Sequence, residues 1–143
     1  MAMQAFWVLR NYATEGRRLV RTALRLPEVE GSELVKSHAL FVGAELAACQ
    51  GDYHEARGML ETCLELRRTL GDVVNTATTL ADLALARLQS GDASTAQANA
   101  SEALSLFKQQ GDRWGEAIGL LRMGQIAIYE RDPTRARDWL RQV

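Results

Sequence analysis

Apolar and small residues recur in this chain at a fixed offset of forty positions. Two series lie in alternating segments of the chain, one of leucines and one of small residues: Leu40, Leu80 and Leu120, then Gly16, Ala56, Ala96 and Ala136. Small residues at a repeated position suit helices that must approach each other closely. Agreement of this kind at a fixed offset predicts a solenoid of stacked helix pairs.

A Gly-Asp dipeptide returns every twenty residues and divides the pattern into segments. The dipeptides are Gly51-Asp52, Gly71-Asp72, Gly91-Asp92 and Gly111-Asp112, with weaker versions at Gly31-Ser32 and Arg131-Asp132. Glycine adopts the left-handed conformation that closes a helix, and Asp or Ser caps the next helix by accepting hydrogen bonds from its first N–H groups. The spacing therefore predicts antiparallel helices joined by very short turns.

These turns predict five helices of similar length, followed by one that begins near Pro133. The five lie at about 33–50, 53–70, 73–90, 93–110 and 113–130. Toward the N-terminus, we expect a helix to end at Asn11 and a second helix, at about 13–26, to end at Pro27. An irregular link is expected from there to Ser32.

The chain is thus predicted to be all-α, as a single repeat domain over residues 1–143 with about three and a half repeats. The expected divisions are a partial first repeat at 1–31, full repeats at 32–71 and 72–111, and a truncated repeat at 112–143.

Residues at characteristic spacings resemble the tetratricopeptide repeat. One run is Leu80…Leu83-Ala84…Gly91-Asp92…Ala96, and a second is Leu120…Met123-Gly124…Asp132…Ala136. The period of forty is longer than the usual thirty-four of that family. The segments 70–72 and 110–115 are also similar to the C-terminal helical regions of bacterial ATPase-type regulators, the relatives of the maltose activator and LuxR-type proteins. No phosphate-binding loop accompanies them.

The resemblance implies a right-handed solenoid of antiparallel helix pairs that binds a peptide or a partner domain in its concave groove. It also implies a non-enzymatic scaffold belonging to a larger bacterial signalling or transcription regulator. The alternative is a small-molecule sensor that controls an attached ATPase.

In the family, the first helix of each pair lines the concave side. The positions of this chain that would form the groove are His38, Phe41, Val42, Glu45, Ala81, Asp82, Leu85, Ile118, Leu121, Arg122, Gln125 and Tyr129. Ala81, between Phe41 and Leu121, is expected to leave a shallow apolar pocket. Asp82 and Arg122 either neutralise each other or take part in recognition.

The composition argues against other classes of partner. A net charge of −1 disfavours general affinity for nucleic acid or anionic lipid. No apolar run reaches the ~20 residues of a membrane span, and no signal peptide is recognisable, so we expect a cytoplasmic protein. Arg17, Arg18, Arg21 and Arg25 form a basic stripe. It would suit phosphates, but without interleaved aromatics we interpret it as a solvated face that contacts acids of a repeat further upstream.

Residues with catalytic or metal-binding chemistry do not converge in the sequence, so neither enzymatic activity nor a cofactor is expected. Cys49 and His54 provide only two ligands, whereas structural zinc sites need four. Cys49 and Cys63 are expected to be reduced thiols in or near the core, too far apart for a disulfide.

The aromatic residues are interpreted as packing residues rather than as a ligand pocket: Phe6, Trp7, Trp114 and Trp139. Apolar surface around the first pair, or around Trp139 and Leu140, is expected to be covered by another copy of the chain. That contact would give a homodimer or end-to-end association.

Overall fold

A computed structural model describes residues 2–143, with side chains described from residue 12 onward. The helices are α1 (Ala2–Ala23), α2 (Pro27–Glu30), α3 (Glu33–Cys49), α4 (Tyr53–Thr69), α5 (Val73–Gln89), α6 (Ala93–Gln110), α7 (Arg113–Tyr129) and α8 (Pro133–Leu140). No strand occurs within residues 2–143. The chain is therefore all-α, as predicted, and the structure leaves untested the expected placement of Phe6 and Trp7, whose side chains lie outside the described residues.

The turns have the chemistry that the sequence predicts. Four glycines adopt positive φ angles between +68° and +85°: Gly51, Gly71, Gly91 and Gly111. Arg131 takes the same conformation in the last turn, with φ 60°. The following aspartates accept a hydrogen bond from the backbone N–H three residues further on, as Asp72 does from Asn75 at 3.2 Å. Ser32 caps α3 in the same way.

Valine in place of Gly71 is expected to reduce the free energy of unfolding by at least ~1 kcal/mol, because a β-branched residue is strained at φ +68°. Asparagine at the same position tolerates the left-handed region and is the matched control, with a smaller loss expected. Urea denaturation of the two variants and the parent tests the comparison. Equal stability of Gly71→Val and the parent would contradict the assigned role of the turn.

The first thirty residues differ from the prediction. Helix α1 continues through Asn11 without a break, since asparagine inside a helix costs only a few tenths of a kcal/mol relative to average residues. It ends at Ala23, and Pro27 begins the short helix α2, where its fixed φ suits the first turn. Gly31 has φ −80°, so it does not provide the left-handed closure that the register suggested.

The chain divides into two compact units, Met1–Leu66 and Arg67–Val143, which we call unit 1 and unit 2. In unit 1, α1 packs on α3. The thiol of Cys63 on α4 lies 3.2 Å from the carbonyl oxygen of Ser37 on α3. Cys63 is a buried free thiol as expected, whereas Cys49 is exposed, and the expectation that it packs near the core is wrong.

In unit 2, helices α5, α6, α7 and α8 pack consecutively, and α5 also contacts α7. Its core combines leucines and alanines with one phenylalanine and one isoleucine. These buried residues are Leu80, Leu83, Ala84, Ala96, Ala100, Ala103, Phe107, Leu120 and Ile126. All three leucines and all three alanines of the forty-residue series are buried in their units. The periodicity therefore marks helix contacts, while the repeat boundaries and the handedness of the solenoid stay predictions.

Gly119 corrects one simple expectation about glycines within helices. From the sequence, alanine there should be neutral or stabilising in the absence of a clash. An added Cβ would lie 3.0 Å from Leu104 Cβ and 3.1 Å from Leu104 Cα. Because a backbone atom is involved, we expect alanine at this position to be destabilising.

Candidate partner-binding surface

Helices α5 and α7 present a shared surface in unit 2, which we call the α5–α7 face. The predicted groove positions that lie on it with exposed or partly exposed side chains are Asp82, Leu85, Ile118, Leu121, Arg122, Gln125 and Tyr129. Polar side chains on this surface are interspersed with exposed apolar ones, notably Leu121 and Tyr129. The face thus offers both packing area and hydrogen-bonding groups.

Arg122 connects the two helices of the face. Its Nε donates to the carbonyl oxygen of Ala81 at 3.2 Å, and one terminal nitrogen lies 3.5 Å from Asp82 Oδ1. The other terminal nitrogen donates to Gln125 Oε1 at 3.0 Å. Positions that align at the forty-residue offset, such as 82 and 122, are therefore neighbours in space. The ion pair that would neutralise Asp82 is present, and a role of the two residues in recognition stays a prediction.

Ala81 itself is buried, and the shallow pocket expected between Phe41 and Leu121 stays a prediction. The exposed fraction of Ala81 is 1 % because it lies on the stripe of α5 that packs against other helices, together with Ala77, Leu80 and Ala84. The Arg122 side chain reaches its carbonyl oxygen from the outer side. The most exposed apolar side chains of this face, Leu121 and Tyr129, lie on α7.

Two arginines lie near the carboxylate of Asp82. Burial raises the pKa of Asp82, while Arg122 and then Arg67 lower it in part. Arg67 is 2 % exposed, and its guanidinium donates to Asn75 O at 3.0 Å and to Thr79 Oγ1 at 2.6 Å. A charged layer thus lies beneath the α5–α7 face.

Asparagine in place of Asp82 is expected to leave unit 2 at least as stable as the parent at pH 7. A raised pKa in the folded state means that ionised Asp82 lowers stability above that pKa. The loss disappears as the pH falls toward the ordinary value of 3.8. The advantage of Asp82→Asn should therefore shrink on acidification. Melting temperatures of both proteins between pH 7 and pH 4 measure this. The expectation would be contradicted if Asp82→Asn melted at a lower temperature than the parent at pH 7 and this difference shrank as the pH fell.

A cleft opens at the ends of α5 and α7, with a volume of about 590 Å³. We call it the α5–α7 cleft, and its lining residues are Leu88, Gln89, Ser90, Gly91, Gln125, Ile128 and Tyr129. Two of them, Gln125 and Tyr129, are predicted groove positions. The sequence prediction missed the others. Ile128 aligns with Leu88 at the forty-residue offset, yet Ile128 is exposed and Leu88 buried, so no sequence signal distinguishes them.

The remaining predicted groove positions lie on α3 in unit 1. Phe41 is partly buried, and His38, Val42 and Glu45 are exposed. The structure brings the predicted positions of α5 and α7 together within unit 2, and the inclusion of the α3 positions in the same groove stays a prediction.

The tryptophans differ from each other in their packing. Trp139 is partly buried against the core of unit 2, which confirms the packing interpretation for this residue. Trp114, on the first turn of α7, is 77 % exposed, so the packing interpretation is wrong there. Its position at the start of the helix, just after the turn, directs it away from the core. Leu140 lies against Gly124 and stays partly exposed.

The basic stripe of α1 is largely matched by acids within unit 1. Arg17 forms ion pairs with Asp52, at 2.7 Å, and with Glu55. Arg21 also pairs with Glu55, and Arg18 pairs with Glu15 on its own helix. The acids that Arg17 and Arg21 contact come later in the chain than the arginines. The structure therefore shows contacts with downstream acids, whereas contacts with a repeat further upstream were expected.

Two absences apply to the residues that the structure describes, one concerning metal ions and one concerning membrane spans. No group of three or more His, Cys, Asp or Glu side chains in that part of the chain is arranged to hold a metal ion. Among the helices described, none is long and apolar enough to cross a membrane.

The comparison with protein families agrees with this architecture. The tetratricopeptide repeat model matches residues 44–109. The matched segment includes α5 and most of α6, and thus the part of the α5–α7 face that α5 contributes. The comparison with curated proteins gives no match. Tetratricopeptide repeats generally mediate protein–protein interaction and are typically non-enzymatic scaffolds.

Proposed function

We propose that this chain is a non-enzymatic scaffold whose α5–α7 face binds a peptide or a partner domain. The main support is the bridge that Arg122 makes between α5 and α7, which joins the groove positions of two successive repeats into one surface. The partner in this proposal is a protein rather than a nucleic acid or a membrane, because the charges on the face are already paired.

Leu121 is the expected anchor point of the surface. It is exposed on α7 beside Arg122, whose charge is partly neutralised by Asp82. Protein–protein interfaces typically have an apolar core within a polar rim, and Leu121 with its polar neighbours has this arrangement. A contact here would remove Leu121 from water while the surrounding polar groups keep their hydrogen bonds.

The finer assignment is also part of the proposal. We place the chain in a cytoplasmic bacterial regulator on the basis of the motifs at 70–72 and 110–115. Self-association through apolar surface around Leu140 is a further element, and light scattering over a range of concentrations tests it.

Selection from a displayed library of random dodecapeptides tests the scaffold function. We expect the parent protein to enrich binding peptides and Leu121→Asp to lose at least about tenfold in affinity for them, as for a truncated interface anchor. Arg18→Glu, at an exposed position of α1, is the control and should bind like the parent. Isothermal titration calorimetry gives the affinities, and circular dichroism checks the fold.

Two outcomes would contradict the proposal. One is a library that yields no enriched peptide. The other is a loss of binding for Arg18→Glu with none for Leu121→Asp, which would assign recognition to another surface.

A further inference from the structure

The α5–α7 cleft has no charged side chain in its lining. Its polar groups are the carboxamides of Gln89 and Gln125 and the hydroxyls of Ser90 and Tyr129. Its apolar surface includes Ile128, which is 59 % exposed. A volume of about 590 Å³ is within the range of protein binding sites. Such a lining suits a ligand that is polar, uncharged and partly apolar.

The side chains of the cleft include acceptors, namely the carboxamide oxygen of Gln89 and the hydroxyl oxygens of Ser90 and Tyr129. Helix α5 ends at Gln89 and helix α7 at Tyr129, so the C-terminal ends of both helices border the cleft. The turns that follow already satisfy most of the last carbonyl groups of these helices. Gly91 N–H donates to Leu88 O at 3.0 Å, and Arg131 N–H donates to Ile128 O at 3.0 Å. The acceptors that a ligand would meet are therefore those of the side chains.

Gln125 supplies a donor. Its Oε1 already accepts a hydrogen bond from Arg122, which leaves the NH₂ group of the carboxamide as the end that donates. A peptide group needs both kinds of partner, because it carries one N–H donor and one C=O acceptor. Side-chain acceptors at Gln89 and Ser90, together with a donor from Gln125, match an extended backbone.

Charged ligands fit the cleft less well. A phosphate or carboxylate would find no Lys or Arg side chain in the lining and would face the negative ends of two helix dipoles. A cationic side chain would find no carboxylate there, and the Arg122 guanidinium lies beside Gln125.

We infer that the α5–α7 cleft binds an extended, uncharged segment of the partner peptide, with one aliphatic side chain packed against Ile128 and Tyr129. The inference rests on the proposed scaffold function, for which it specifies the chemistry of the bound segment. The charges of the partner would then lie outside this segment, toward Asp82 and Arg122.

The experiment uses peptides enriched by the full chain from the dodecapeptide library and compares two matched variants. Ile128→Ser changes a branched aliphatic residue in the cleft, whose side chain is 59 % exposed. Val74→Ser changes a branched aliphatic residue of similar exposure, 58 %, on the first turn of α5. We expect Ile128→Ser to weaken binding by about tenfold and Val74→Ser to leave it unchanged. Gln125→Met, which removes the donor, should also weaken binding.

The sequences of the enriched peptides provide the second readout. We expect the residues that contact the cleft, identified by cross-saturation in nuclear magnetic resonance, to be uncharged and to include one Leu, Ile or Val. A required Lys, Arg, Asp or Glu in that segment would overturn the inference. So would equal affinities of Ile128→Ser and Val74→Ser for peptides that still depend on Leu121. No enrichment at all would overturn the scaffold function, and the inference with it.

Discussion

Alanine in place of Gly115 is expected to lower the free energy of unfolding by about 1–3 kcal/mol. An added Cβ would lie 2.5 Å from Phe107 Cε1 and Cγ and closer still to Cδ1. Phe107 is buried, and the short turn at Gly111 holds its ring against the first turn of α7. Neither the ring nor the helix start is free to move aside, so the core must be distorted.

Gly58 is the matched control for this substitution. It lies within α4, and an added Cβ there meets no atom within 4 Å. Alanine at position 58 should therefore stabilise by about 0.5–1 kcal/mol through helix propensity alone. Chemical denaturation of the two variants measures both effects. A Gly115→Ala protein as stable as the parent would show that the Phe107 ring is less constrained than its contacts indicate.

Alanine in place of Arg67 is expected to destabilise unit 2 by about 3 kcal/mol. The change removes a buried guanidinium that donates to Asn75 O and Thr79 Oγ1. It also leaves the partly exposed carboxylate of Asp82 with one fewer nearby cation. Hydrogen bonds from a charged donor contribute about 1.5–3 kcal/mol when their loss leaves buried acceptors unsatisfied, and the removed alkyl chain adds a packing defect.

The adjacent arginine is the control. Arg68 pairs with Glu102 at 2.6 Å, but both side chains are about half exposed. Exposed ion pairs contribute about 0–1 kcal/mol, so Arg68→Ala should change stability little. Thermal unfolding of the two alanine variants makes the comparison, and similar losses would show that burial of Arg67 is not the decisive difference.

The sequence predicted the helices and most of their contacts because turn residues and packing residues repeat together. Helices α3 to α7 begin and end close to the predicted bounds, and α8 begins at Pro133 as predicted. The prediction failed at Asn11, where no glycine requires a stop and a single asparagine is too weak a signal to end α1. It failed at Pro27 for a related reason, since a proline excluded from one helix is well placed to begin the next.

The burial of Arg67 is predicted by the repeat alignment but not by the hydropathy pattern. It aligns with Phe107 at the forty-residue offset, and each of these side chains is 2 % exposed. Judged as a charged residue near the end of a helix, Arg67 is expected at the surface. Judged by its repeat position, it is expected in the core, and that is where it lies.

The binding surface was less predictable than the fold. The alignment identified positions 82 and 122 as neighbours, because equivalent positions of stacked helices are adjacent. It did not reveal that Ala81 is buried or that Ile128 is exposed, because both follow from the packing of particular helices. An alignment also does not show where two helix ends leave a space, so the α5–α7 cleft could not be predicted from the sequence.

The short Gly-Asp turns have a consequence for how the length of such a chain can change. Deletion of residues 72–111 would place Gly71 directly before Asp112 and so regenerate the Gly-Asp sequence found at the other turns. Duplication of the same forty residues would likewise create a new Asp-capped helix after Gly111. Gain or loss of a whole helix pair therefore needs no new connecting sequence, and recombination can change the length of the array while each Gly-Asp turn keeps its closing glycine and its capping aspartate.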